Sequence, residues 1–289
     1  MPRAVLDVGS NTIRLLVADV KEGRVCSVLD RSEFVRLGRG VDSSGRLSDD
    51  RMDAGVEAIR RLSSVAAEQG AVDLRAIATS AVREATNGAA FVRRVHDETG
   101  VEVQIISGDE EASLTFRGAT LGINLEGGAL IVDLGGGSAE VIYATEEGMC
   151  WQRSEPLGSG RLSERFLPGD PPDGADMRRL RAYIREQLER LPPVEAHLAI
   201  FTGGTATNVA LVAGRKGDLI ELEPRDLEHV VQLLGATPAA DIAERYKIRP
   251  ERAEVLPAGA GTLGEIARFY RVERIMITRQ GMREGALLG

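Results

Sequence analysis

Asp7-Val8-Gly9-Ser10-Asn11-Thr12 and Asp133-Leu134-Gly135-Gly136-Gly137-Ser138 are two writings of one turn, and they decide the fold. Each follows a short apolar run, Ala4-Val5-Leu6 in the first and Ala129-Leu130-Ile131-Val132 in the second. Each leads into another, Ile13 to Val17 and Val141-Ile142-Tyr143. The pattern is strand, glycine-bearing turn, strand. Small turn residues let backbone N–H groups approach an oxyanion. The Asp that closes each first strand, Asp7 or Asp133, is placed to hold a divalent metal. Two such hairpins facing each other would grip a phosphate chain from both sides.

The rest of the chain repeats that beginning. Ser48 opens a helix with Met52, Val56, Ile59, Leu62 and Val65 on one face, and Gly70 closes it. Leu74 to Ala78 and Val101 to Ile106 read as strands, with a helix around Ala89 to Thr99 between them. Gly122-Ile123-Asn124-Leu125-Glu126-Gly127-Gly128 is the best domain boundary, giving domains 1–122 and 123–289. After the second hairpin come further sheet near Trp151, a helix from about Asp176 to Leu191, and a strand His197 to Phe201 that ends in Thr202-Gly203-Gly204-Thr205. A last strand, Arg274 to Thr278, leads into a short helix from Gly281 to Leu288, which the reading allows to pack back on the first domain. Two βαβ-rich halves whose Asp residues lie 133 − 7 = 126 positions apart make an internal duplication of α/β type.

Composition narrows the chemistry. At 289 residues, 43% hydrophobic and 28% charged, the chain suits two soluble domains. No apolar run is long enough to span a bilayer, and Met1-Pro2-Arg3 enters a strand at once, so no membrane role and a cytoplasmic location are expected. The formal charge of -8 argues against nucleic acid as the partner. Only three of the 36 basic residues are Lys, which codon bias in a GC-rich genome explains better than selection for phosphate binding does. Cys26 and Cys150 have neither metal nor redox spacing and read as buried or partly buried thiols. His96, His197 and His229 are scattered, which disfavours a zinc site or a Ser-His-Asp triad. A metal here would sit on carboxylates, water and phosphate, which is Mg²⁺ chemistry. No P-loop sequence occurs.

Taken singly, each glycine-rich turn is weak, because most Asp-x-Gly turns need Gly only for positive φ. Their recurrence at strand ends of duplicated halves carries the weight. Gly203, Gly204 and Thr205 open a helix, where backbone donors favour an anion; close strand–helix packing is the alternative. Ser107 and Glu110 have capping-box spacing, so Ser107 caps the helix and Glu110 is expected to reach back. That leaves Glu111 in the first turn, either a favourably placed acid or a carboxylate base for water. Arg83, just past a strand, could fork onto phosphate or form a surface ion pair.

These stretches together resemble the exopolyphosphatase and guanosine pentaphosphate phosphatase (Ppx/GppA) family of the actin-like ATPase superfamily. The matching segments are Asp7 to Thr12, Ala78 to Asn87, Ser107 to Ala112, Asp133 to Glu140, Thr202 to Thr205 and Arg283-Glu284-Gly285. The resemblance implies a duplicated actin-like (RNase H-like) fold with an active site in the interdomain cleft. By it Glu111 is the base, and Asp133 and Glu140, with Asp7, hold Mg²⁺ or Mn²⁺. Gly9, Ser10, Asn11 and Thr12 form the first phosphate loop, Gly135, Gly136, Gly137 and Ser138 the second, and Arg83 holds phosphate. Arg283 closes the C-terminal motif in a structural or a substrate role. The chain ends soon after it, as in the short form of the family without an HD-like extension, so short chains cut without processive action are expected.

The activity so implied is metal-dependent hydrolysis of the terminal phosphate of inorganic polyphosphate. Hydrolysis of the 5′ γ-phosphate of pppGpp by the same machinery is the near alternative. A nucleotide-binding regulator of the actin/Hsp70 type is the alternative from another class, and a homodimer is the assembly to test for.

Overall fold

The first hairpin forms as its pattern requires. β1 (Arg3–Val8) pairs antiparallel with β2 (Thr12–Lys21), which pairs with β3 (Arg24–Phe34). α1 (Val41–Ser44) and α2 (Asp49–Glu68) follow, then β4 (Leu74–Ala78), parallel to β1. α3 (Ser80–Glu84), α4 (Gly88–Thr99), β5 (Val103–Ile105) and α5 (Gly108–Ala119) complete the half. The sheet order is β3-β2-β1-β4-β5. Strand alternation splits its apolar residues between two faces. Leu6, Val8, Ile13, Leu15 and Val17 pack with Val56, Ile59 and Leu62 of α2 and with Phe91 and Val95 of α4. Val5, Leu16, Ala18 and Ile77 pack on the opposite face with Leu114 of α5.

The second half repeats this with additions. Its elements are β6 (Ala129–Leu134), β7 (Ala139–Thr145), β8 (Gly148–Glu155), α6 (Ser159–Phe166), α7 (Gly174–Leu188), β9 (Leu198–Thr202) and α8 (Gly203–Val212). β10 (Leu219–Leu222), α9 (Pro224–Ala236), α10 (Ala239–Tyr246), α11 (Pro250–Phe269) and β11 (Arg274–Thr278) follow. The order β8-β7-β6-β9-β11 matches the first sheet strand for strand, and β10 is an added antiparallel edge. The repeat extends to a flaw in the pairing. The second strand of each hairpin shifts register at Val17/Ala18 and at Tyr143/Ala144, again 143 − 17 = 126 positions apart.

The computed structural model describes residues 1–289, and the chain divides into an N-terminal unit, Met1–Gly118 with Met282–Gly289, and a C-terminal unit, Ala119–Gly281. α12 (Met282–Leu287) thus belongs to the N-terminal unit. Met282, Ala286 and Leu287 join the core around Val5 and Ile77. A Cβ on Gly285 would lie 1.9 Å from the Leu114 carbonyl oxygen, so only glycine lets α12 lie this close to α5. Arg283 donates both terminal nitrogens to Asp30, at 2.8 and 3.1 Å. Burial works against the guanidinium charge, but the Asp30 hydrogen bonds, with Glu284 and Asp7 in electrostatic reach, outweigh it and raise the pKa. These contacts give Arg283 a structural role.

Cys26 and Cys150 are both exposed, on β3 and β8, which corrects the expectation of buried or partly buried thiols. Edge strands turn alternate residues outward and leave them uncovered. No helix is long and apolar enough to cross a membrane.

Replacing Asp30 by Ala should strand the Arg283 guanidinium, which is 8% exposed. The expected loss is about 1–3 kcal/mol, the usual cost of leaving a buried donor without its partner. Asp30 is itself well exposed, which keeps the loss below that of a fully buried pair. Urea unfolding checks this, and an unchanged midpoint would remove the clamp.

Candidate active site

In the N-terminal unit the turn Gly9–Thr12 is closed by the Gly9 N–H donating to the Thr12 carbonyl at 3.3 Å. Its other carbonyls are turned to the segment behind it. Ser10 accepts from Gly38 N–H at 2.8 Å, and Asn11 accepts from Val35 and Arg36, both at 2.9 Å. A trans peptide sets each C=O opposite the next N–H. Pinning these carbonyls therefore directs the Asn11 and Thr12 donors away from the backing segment. Gly38 makes the contact possible: a Cβ there would lie 3.0 Å from Ser10 Cβ and 3.1 Å from Ala81 Cβ.

The C-terminal unit solves the same problem with a helix. Gly135 carbonyl accepts from Ser159 N–H, and Gly136 carbonyl accepts from Gly160 and Arg161, at 2.9 to 3.1 Å. The first turn of α6 thus takes up the loop's carbonyls with its unpaired donors. The Gly136 and Gly137 N–H groups are aimed the other way. Gly158 sits where Gly38 sits, and its demand is stricter. A Cβ there would lie 2.3 Å from the Gly137 carbonyl carbon and 2.5 Å from that of Gly136. Leu37-Gly38 and Leu157-Gly158 are the sequence trace of this backing, a pair that motif reading passes over.

Glu111 and Arg83 meet within the N-terminal unit. Arg83 Nη1 donates to Glu111 Oε2 at 2.9 Å and to the Ile106 carbonyl at 3.0 Å. Their side chains are 22% and 10% exposed, so this is a sheltered pair rather than a surface one. Ser107 Oγ accepts from Glu110 N–H at 3.1 Å, as a cap should. The Glu110 carboxylate accepts from Arg75 at 3.3 Å, which corrects the expected reach back to the cap. An arginine on β4 outcompetes the backbone donor for that carboxylate. Asp7 faces Arg14 across the first hairpin and lies in the field of Arg283.

Asp133 faces Glu140 at the equivalent register of the second hairpin. Glu140 is matched in turn with Ser154 on β8, and Asp133 with Thr202 on β9. The four side chains therefore form one row on one face of the sheet. Ser138 and Ser154 both donate to Glu140 Oε1 at 2.8 Å. The Ser138 hydroxyl is thus directed to the carboxylate, which leaves its backbone as its part of the loop. Thr202 Oγ1 donates to the Gln280 carbonyl at 2.7 Å and does not cap α8. Gly203, Gly204 and Thr205 are the first residues of that helix. Gly203 has φ +88°, and a Cβ on it would lie 2.5 Å from Asp133 Oδ1.

The donor set suits a hard cation. Asp133 and Glu140 present two carboxylates in register, and no group of three His, Cys, Asp or Glu forms a protein cage. Mg²⁺ is commonly held by one or two carboxylates, with water and substrate phosphate completing its shell. Ser154, Gly38, Gly158 and the Thr202 hydroxyl are parts of this arrangement that sequence reasoning did not select.

Comparison with known proteins adds an independent line. The model of the Ppx/GppA phosphatase family matches residues 16–289. Exopolyphosphatase 1 of Mycobacterium tuberculosis is 32% identical over 100% of this chain and 88% of its own length. Exopolyphosphatase 2 of that organism is 31% identical over 99% of this chain and 97% of its own. The crystal structure of an exopolyphosphatase from Cytophaga hutchinsonii has a TM-score of 0.92, covering 99% of this chain and 96% of that one, at 24% identity. At that identity it speaks for the fold alone, the duplicated α/β architecture expected from the two hairpins.

Gly158→Ala should displace Gly136 and Gly137 while sparing the sheet. A folded protein that has lost affinity for pyrophosphate in a calorimetric titration is the expected result. Gly235→Ala, in a helix with nothing within 4 Å of the new Cβ, should bind normally and gain up to about 1 kcal/mol. Equal binding by both variants would contradict the backing role.

Proposed function

The chain belongs to the Ppx/GppA phosphatase family, and on that premise we propose that it is an exopolyphosphatase, hydrolysing the terminal phosphate of inorganic polyphosphate. The observation that carries the reading is Glu111, a buried carboxylate fixed through one oxygen by Arg83 at the first turn of α5. In this reading Glu111 orients the attacking water and takes its proton. Arg83 has a second role. Nη1 makes both of its hydrogen bonds, so Nη2 and Nε are the donors it brings to a phosphoryl oxygen. The turn Gly9–Thr12 in the N-terminal unit, and the turn Gly135–Ser138 and the helix start at Gly203–Thr205 in the C-terminal unit, each offer neutral backbone donors to phosphate oxygens.

Asp133 and Glu140 would hold Mg²⁺, with Mn²⁺ as a substitute. When bound, the ion would neutralise phosphoryl oxygens. Asp7 is the weaker of the three carboxylates for this purpose, because Arg14 and Arg283 already place positive charge near it. Polyphosphate is preferred to pppGpp because the full-length relatives carry the name exopolyphosphatase, and the cytoplasm is the proposed place of action.

Glu111→Gln should lower turnover by about 10²–10⁴-fold, the usual worth of a general base, with substrate affinity kept. Glu110→Gln, which loses only the Arg75 contact, should cost stability more than rate. Phosphate release from polyphosphate and pppGpp, with and without Mg²⁺, tests the rest. Faster release from pppGpp would reassign the substrate, full activity in EDTA would remove the metal, and binding without hydrolysis would favour a regulator.

A further inference from the structure

Glu140 is 1% exposed, and its two hydroxyl donors come from different strands and converge on one oxygen. Ser138 is two residues away on the turn, whereas Ser154 is on β8, where register sets it beside Glu140. Two donors on Oε1 stop rotation about the terminal torsion and fix the plane in which Oε2 lies. Neither donor carries charge. Unlike Arg83 on Glu111, they orient the carboxylate without bringing positive charge to it. Hydroxyls suit that task, while a Lys or Arg at the same place would compete with the ion.

We infer that Ser154 is a positioning residue that sets the Glu140 carboxylate for divalent cation binding. The inference rests on the reading of Asp133 and Glu140 as the cation-holding pair. It assigns a function to the edge strand β8, which contributes no glycine loop and no predicted site residue. The cation is bound through Glu140, and Ser154 acts only through it.

The test uses the intact protein without substrate and reads free Mn²⁺ by electron paramagnetic resonance. Loss of such an outer hydrogen bond usually weakens metal binding by 10–100-fold. With Ser138 still in place, Ser154→Ala should weaken Mn²⁺ about tenfold, at the low end of that range. Ser154→Thr, which keeps the hydroxyl, should stay within about twofold, since the bond and not the residue's size is at issue. Glu140→Gln should weaken binding more than Ser154→Ala. Thermal unfolding in EDTA should give Ser154→Ala and the parent the same midpoint within a few degrees; if it does not, Ser154→Cys, of similar size and a weaker donor, replaces it. Parent-like affinity in Ser154→Ala with weakened Glu140→Gln would overturn the role of Ser154. Parent-like affinity in Glu140→Gln would overturn the metal reading itself, and the inference with it.

Discussion

A peptide group has two polar ends, and a turn can offer its N–H groups to an anion only if something else takes its carbonyls. Much of this structure follows from that constraint. Behind the first turn, the N–H groups of Val35, Arg36 and Gly38 take the carbonyls. Behind the second, the start of α6 does so. Both arrangements bring a glycine close behind the turn: a Cβ on Gly158 would overlap the backbone of Gly136 and Gly137, and one on Gly38 would crowd Ser10 and Ala81. The glycines inside the turns are the visible half of the device. Gly38 and Gly158, outside them, are the half that orients it.

Duplication made two hairpins of one register, and side-chain chemistry has since set them apart. Position 14 is Arg where position 140 is Glu, each directly opposite the Asp of its own hairpin. One carboxylate therefore faces a cation, while the other faces a second carboxylate. Like charges in adjacent register repel, so the second pair is tolerable only where a cation or polar donors compensate. Two serine hydroxyls on Glu140 are part of that compensation. The same backbone thus yields one hairpin suited to ordering its own unit and one suited to a metal.

The hairpins were legible because their signal is local: an apolar run, a turn of small residues, another apolar run. So were the helix from Asp49 to Glu68 and the strand from Arg274 to Thr278, which have the periodicities of their types. α11 was not. Leu256-Pro257-Ala258-Gly259-Ala260-Gly261 reads as a chain breaker, yet it lies inside a 20-residue helix. Tertiary contact overrides propensity there. A Cβ on Gly259 would lie 2.4 Å from Thr205 Cγ2 and 3.2 Å from Ser159 Cβ, so glycine in this helix serves close packing on the starts of α8 and α6. Glu111 could be singled out because a cap fixes position along a chain. Its bond to Arg83, 28 residues earlier, could not, since nothing local encodes it.

Strand alternation explains why charge could be buried here at all. Asp7 lies on the same face as Val5, and Asp133 on the same face as Ile131, each two residues further toward the turn. The apolar pairs of that face, Val5 with Leu16 and Ile131 with Ile142, lie lower on the hairpins, and the carboxylates stand in the row above them, at the C-terminal ends of the parallel strands. In the C-terminal unit that row is Thr202, Asp133, Glu140 and Ser154, one residue from each of four adjacent strands. The desolvation of Glu140 is met by neutral donors in its own row and on its own turn, so the core beneath need not be disturbed to hold it. Because these groups stand at the ends of the strands, a single substitution changes the chemistry of the row, as Arg14 opposite Asp7 and Glu140 opposite Asp133 illustrate.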